Sequence, residues 1–192
     1  MKIAAVTCAR MDSARFPGKC LAPLLGKPLI QHTIDFARLM EWPLYVWTRD
    51  VKILEYVGGR CLVVYEPLEL YDTRENSTVE KMAYANLLID ADYLVLLQPT
   101  HPFRDPKVVA GWIAQFLQRS ASASPRYGSV GYSAMNHPLN MGQRGPSGSF
   151  FIYSREYLQH RFDIEPIMFL EDPPVDIHTP ADLEEAERCA RA

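Results

Sequence analysis

The chain has 192 residues, a formal net charge of −3, 48% hydrophobic and 22% charged residues, with a pI near 6.0 and a mean hydropathy of −0.13. That is enough for one domain with a sizeable core, and the acidic balance excludes a general nucleic-acid-binding surface. No run approaches the roughly 18–20 apolar residues of a membrane span. The apolar run in "MKIAAVTCAR" is too short for a secretory leader, so a cytoplasmic protein is expected, with neither membrane nor nucleic acid as partner. Four scattered cysteines without a C-x-x-C pair read as reduced thiols, and five histidines without H-E-x-x-H argue against a zinc enzyme.

In chain order, "KIAAVTC" is a short apolar run bounded by a polar loop, as in a strand buried on both faces. "PLIQHTIDFARLM" repeats apolar residues at helical spacing, and Trp42-Pro43 ends it. "LYVWT" and "CLVVY" are predicted as strands two and three, "TVEKMAYANLLIDA" as a helix, and "YLVLLQ" as strand four. "PKVVAGWIAQFLQR" is a further helix with Pro106 in its first turn. "SASAS" reads as a loop or edge segment. "SVGYSA" and "SGSFFIYS" are strand-like and flank a turn-rich stretch, "MNHPLNMGQRGP". In "HTPADLEEAERCARA", Thr179 as N-cap, Pro180 at the first helical position and Asp182 in the capping-box place open a terminal helix.

Alternating strands and helices imply an α/β fold, a three-layer α/β/α sandwich with a mostly parallel sheet. Ligands of such sheets sit beyond the carboxyl ends of the strands. That edge carries "ARMDSARFPGKC" after strand one and "QPTHPFRD" after strand four. The first loop gathers Arg10, Arg15 and Lys19 around Ser13 and Gly18. Its backbone N–H groups, hydroxyl and guanidinium groups suit an anion cradle able to balance most of the roughly four charges of a metal-bound nucleoside triphosphate. Neither G-x-x-x-x-G-K-[ST] nor G-x-G-x-x-G is present, which disfavours kinase-type P-loops and dinucleotide folds.

"ARMDSARFPGKCLAPLLGKPLI" resembles the opening of the cytidylyltransferases that activate acidic sugars, the CMP-N-acetylneuraminic acid (CMP-sialic acid) synthetases or acylneuraminate cytidylyltransferases and the SpsF-like group. Four later blocks resemble that family in order: "YDTRENSTVEKM", "LLQPTHPFRD", "SGSFFIYSREYL" and "PIMFLEDPPVDIHTPADLEEAE". The resemblance implies a nucleotide-diphospho-sugar transferase-like, Rossmann-like fold over residues 1–192 as a single domain, with a shortened 136–148 lobe. It implies transfer of CMP from CTP to an acidic keto-sugar (sialic acid, a related nonulosonic acid or a Kdo-like acid) with release of pyrophosphate and Mg²⁺ as cofactor, Mn²⁺ being the alternative. A homodimer is left open.

By resemblance, Arg10, Lys19 and Asp176 are the catalytic expectations. Arg10, Ser13, Arg15, Gly18, Lys19 and Ser77 would bind the nucleotide, and Gln98, Thr100 and Arg104 the sugar. Asp176 and His178 stand on the family's closing D-x-D and would hold the metal, with Asp172 as a further carboxylate. His101 reads as loop structure. Departures from the family are Cys20 for an asparagine near the base, Glu66 for an arginine, Asn140 for a lysine and His178 for an aspartate, with Arg144 as a replacement cation. The alternatives are a catalytically weakened nucleotide- or sugar-binding homologue, and a nucleotidyltransferase for another sugar or nucleoside triphosphate.

Overall fold

The computed structural model describes residues 1–67, 78–122, 128–136, 144–160, 166–170 and 175–191. Ile3–Cys8 forms β1, and a loop with a 3-10 turn at Lys19–Leu21 leads to the two-residue strands β2 (Pro23–Leu24) and β3 (Lys27–Pro28). Helix α1 (Leu29–Leu39), β4 (Leu44–Thr48), α2 (Val51–Val57) and β5 (Leu62–Tyr65) follow, then α3 (Thr78–Leu88) and β6 (Tyr93–Leu96). Helix α4 (Pro106–Ser122), β7 (Val130–Asn136), β8 (Arg144–Ser154), α5 (Arg155–His160), β9 (Ile167–Leu170) and α6 (Pro180–Arg191) complete the order.

The main sheet runs β5-β4-β1-β6-β8-β7-β9. β5, β4, β1 and β6 are mutually parallel, β8 is antiparallel to both β6 and β7, and β9 is parallel to β7. The mostly parallel sandwich expected from the sequence is present, with one strand reversed. Reversal brings the start of β8 to the edge where β1, β4, β5 and β6 end. The α2 helix and strand β9 were absent from the sequence reading. "VKILEYV" is too short for a clear helical period, and "IMFL" lies inside the closing block.

Strand alternation builds the two faces. Ala5, Val46, Val95, Phe150 and Ile152 pack with Ile30 and Ile34 of α1, Ile53 of α2 and Trp112 and Phe116 of α4. Ala4, Val6, Trp47, Leu94, Leu96 and Tyr153 point the other way, onto Met82 and Ala85 of α3 and Leu158 of α5. A third cluster joins Leu24 and Leu29 to Val175, Ile177 and Ala186, with Phe16, Phe103 and Leu183 against it. Leu24, Leu29 and Ile177 are fully buried there. At about 1.5–3 kcal/mol per fully buried aliphatic side chain, this cluster is what fixes the closing segment beside the loop after β1.

Candidate functional site

The loop after β1 is held from beneath. Ala9 N–H donates to Trp47 O, and Met11 N–H donates to Asp50 Oδ2 at 2.9 Å. Gly18 has φ 75, the left-handed region that a side chain resists, and its N–H is spent on Met11 O at 2.8 Å. Gly18, expected to offer its N–H to a phosphate, therefore shapes the turn that delivers Lys19. Lys19 lies half-buried with Nζ 3.1 Å from Ile177 O. Burial lowers its pKa from the usual 10.5, while Cys20 and Asp176 oppose the shift.

The closing segment meets this loop directly. Ile177 N–H donates to Thr100 O at 3.0 Å, tying it to the turn after β6. Asp182 Oδ2 accepts from His178 N–H at 2.8 Å and Thr179 N–H at 2.7 Å, and Thr179 Oγ1 accepts from Asp182 N–H at 3.3 Å. This is the capping box expected from the sequence. It ties the backbone just before α6 to the first turn of that helix. Arg15 Nη2 lies 3.0 Å from His178 Nδ1, and His178 Nε2 lies 2.7 Å from Asp176 Oδ2. A guanidinium only donates, so Nδ1 of the neutral imidazole accepts and Nε2–H donates to the carboxylate. Both ring nitrogens are thus occupied. His178, expected as a metal ligand, offers no lone pair in this arrangement.

A cavity of about 590 Å³ opens beside the loop after β1, lined by Arg10, Ser13, Lys19 and Cys20 of that loop, Cys8 of β1, Lys81 of α3, and Gln98 and Thr100 after β6, among others. Its size suits a nucleotide-sized ligand. Arg15 is exposed beside it, and Asp176 sits next to Lys19. Among the described residues no group of three or more His, Cys, Asp or Glu side chains is placed to hold a metal. Asp176 would supply one hard oxygen ligand, which would suit Mg²⁺ only with phosphate and water completing the shell.

Two thiols, Cys8 and Cys20, line this space. Burial pushes the Cys8 thiol up to about 11 and raises that of Cys20. All four cysteines are free, as the sequence implied. Gln98 meets the start of β8 closely: a Cβ on Gly148, whose φ is +85, would lie 3.3 Å from Gln98 Oε1. Arg104, expected on the sugar, donates to Ser149 O, His101 O and Gln98 O at 2.5–2.6 Å and clamps the turn carrying Gln98 and Thr100. His101 is buried and 3.0 Å from Thr100 Oγ1, consistent with a loop-fixing role. Ser77, Asp172 and Asn140 lie outside the described residues, as do residues 137–143 of the shortened lobe; Arg144 opens β8.

The sequence reading named Arg10 and Glu66 but missed Lys81 and the pairing that makes the other wall. Glu66, just past β5, is 0% exposed. Its Oε1 accepts from Arg10 Nη2 at 2.6 Å and Lys81 Nζ at 2.7 Å, and its Oε2 from Arg10 Nε at 3.3 Å. Burial works against its charge, but the hydrogen bonds from Arg10 and Lys81 outweigh it and hold the carboxyl below 4.5. One signal for Lys81 was available. A lysine in the opening turn of a helix opposes the macrodipole, which calls for a nearby anion.

Residues 4–145 match the family model described as Cytidylyltransferase. The chain belongs to the cytidylyltransferase family. It is 34% identical over 136 residues to a 3-deoxy-manno-octulosonate cytidylyltransferase of Geobacter metallireducens, covering 68% of this chain and 49% of that protein. To an 8-amino-3,8-dideoxy-manno-octulosonate cytidylyltransferase of Shewanella oneidensis it is 30% identical over 141 residues, 71% of this chain and 55% of that one. The chain thus spans about half the length of the curated relatives it matches. The fold of this cytidylyltransferase-family member is shared with a solved CMP:2-keto-3-deoxy-manno-octonic acid synthetase complexed with CTP, at TM-score 0.74 and 19% identity, covering 100% of this chain and 99% of the other. A cytidylyltransferase of Leptospira borgpetersenii gives TM-score 0.70 at 16% identity, covering 100% of this chain and 87% of that structure. Among the described residues no helix is long and apolar enough to cross a membrane.

Proposed function

We propose that this chain transfers CMP from CTP to an acidic keto-sugar of the octulosonate kind. A sugar hydroxyl oxygen bonds to the α-phosphorus, the bond to the β-phosphate's bridging oxygen breaks, and pyrophosphate leaves. The observation that carries the reading is the meeting of two distant segments beside a cavity that Lys19 lines: Lys19 on Ile177 and, outside the lining, Arg15 on His178. Such a reaction asks for charge neutralisation and in-line positioning more than for covalent help.

Lys19 and Arg15 would grip the triphosphate, exchanging weak partners for phosphate oxygens, with Arg10 on the opposite wall and Ser13 at the loop's crest. Gln98 and Thr100 would read sugar hydroxyls, held in place by Arg104. Asp176 would hold Mg²⁺ together with phosphate oxygens and water; when bound, the ion supplies charge neutralisation on the triphosphate. The names of the relatives favour an octulosonate over sialic acid as acceptor.

Pyrophosphate release from CTP with Mg²⁺ or Mn²⁺, across 3-deoxy-manno-octulosonate, its 8-amino analogue and sialic acid, tests this. Turnover on an octulosonate is expected. CTP binding without turnover on any acceptor would replace the reading with a weakened binding homologue, which the pairing of Arg10 with Glu66 favours as the second reading. A protein that turns over ATP, GTP or UTP as well as CTP would overturn the cytidylyl assignment.

A further inference from the structure

We infer that Glu66 is a positioning residue that holds Arg10 and Lys81 together as one cationic wall for the nucleotide; the inference rests on the proposed use of CTP. Both cationic heads lie within 2.7 Å of the same oxygen, Oε1. Two like charges converging on one atom repel at short range, and a half-enclosed cavity screens them less than water does. The carboxylate is what allows them to sit side by side.

Glu66 itself is fully buried, whereas Arg10 is 28% and Lys81 14% exposed, and both line the cavity. The carboxylate is therefore behind the wall and the cations are its face. Arg10 and Lys81 both present their charge to the cavity. That charge belongs to a set whose geometry is fixed before a ligand arrives, so little ordering remains on binding. The two cations come from the loop after β1 and from α3, and Glu66 from the end of β5. The triad thus joins three elements of the carboxyl edge at a single point.

Lys81 is the substrate-facing residue that this arrangement adds. An ammonium has three N–H donors, and Glu66 accepts from it along one direction. The ligand class is a nucleoside polyphosphate, whose oxygens match a guanidinium and an ammonium set side by side. Cys8 borders the same space, and its raised thiol stays protonated beside the pair.

Calorimetric titration of CTP with Mg²⁺ into the wild-type chain, Glu66→Gln, Lys81→Met and the double variant tests this, with melting temperatures of the free proteins alongside. Glu66→Gln and Lys81→Met are each expected to weaken CTP binding about tenfold or more. The double variant should lose less than the product of the two single losses, because both act through one wall. A lower melting temperature for Glu66→Gln with unchanged CTP affinity would make Glu66 structural and overturn the inference while leaving the proposed function standing. Full multiplicative losses would overturn it too. Should Glu66→Gln not fold, Lys81→Met, which keeps the Arg10–Glu66 pair, decides alone: unchanged affinity overturns the wall. A wild-type chain that does not bind CTP sinks the functional reading and this inference together.

Discussion

The two walls of the cavity hold their cations in opposite ways. On one, Arg10 and Lys81 converge on a fully buried carboxylate and are fixed. On the other side, Lys19 leans on a backbone carbonyl and Arg15, just outside the lining, on an imidazole. A charge-assisted pair in a buried setting is strong and costly to break, whereas an ammonium on a carbonyl or a guanidinium on an imidazole is readily exchanged for a phosphate. The difference teaches a division of labour: one wall presents charge fixed in place before the ligand arrives, and the other presents charge that re-pairs when the ligand enters.

Removing the exchangeable charge should have the largest effect. Lys19→Ala is expected to lower CTP-dependent turnover by roughly two orders of magnitude or more, as for other preorganised charge stabilisers, in a protein that melts normally. Near-normal turnover would erase the contrast between the walls.

Breaking the fixed wall should cost stability as well as CTP affinity. Glu66→Gln leaves two cations without their buried counter-charge, a loss of about 3 kcal/mol near neutral pH. The Glu66 carboxyl titrates below 4.5 in the folded chain. Its contribution is present above the unfolded value and lost as pH falls through the folded one. Denaturant titrations should therefore show a full gap between wild type and variant at pH 6–7 that closes as pH drops below about 4.5. A pH-independent gap would contradict the ionic account.

The turn between the walls sharpens the comparison. Arg104 spans three carbonyls with a rigid fork, which a lysine cannot copy. Arg104→Lys should cost about 2 kcal/mol from unmet buried acceptors, read as a shift in the denaturant midpoint. The smallest effect belongs to the cap beneath the exchangeable wall. Thr179→Ala should cost about 1 kcal/mol, which is about 2–4 °C in melting temperature for a chain of this size.

Much of this was legible in the sequence, and for local reasons. Apolar runs at strand and helix length placed β1, α1, β4, β6 and α4, and Thr179, Pro180 and Asp182 marked the start of α6, because caps and turns are written within four residues. The basic loop declared itself by composition and by following a buried strand. The reversed direction of β8 was not readable, since strand-like alternation carries no sense of pairing. The Glu66 triad was hidden for a similar reason. Its members stand 56 and 15 residues apart, and a lone glutamate after a strand looks like a solvated end. His178 was read from its place in the closing D-x-D position beside Asp176, and its contact with Arg15, 163 residues away, was not readable.

The central claim is that the loop after β1 and the turn before α6 together receive the triphosphate. A crystal structure of the chain soaked with CTP and Mg²⁺ tests it most directly. The account predicts phosphate oxygens on Lys19 and Arg15 in place of Ile177 O and His178 Nδ1, with the ion on Asp176. Phosphates bound away from both segments, or Lys19 still seated on Ile177 O with CTP in the cavity, would contradict it.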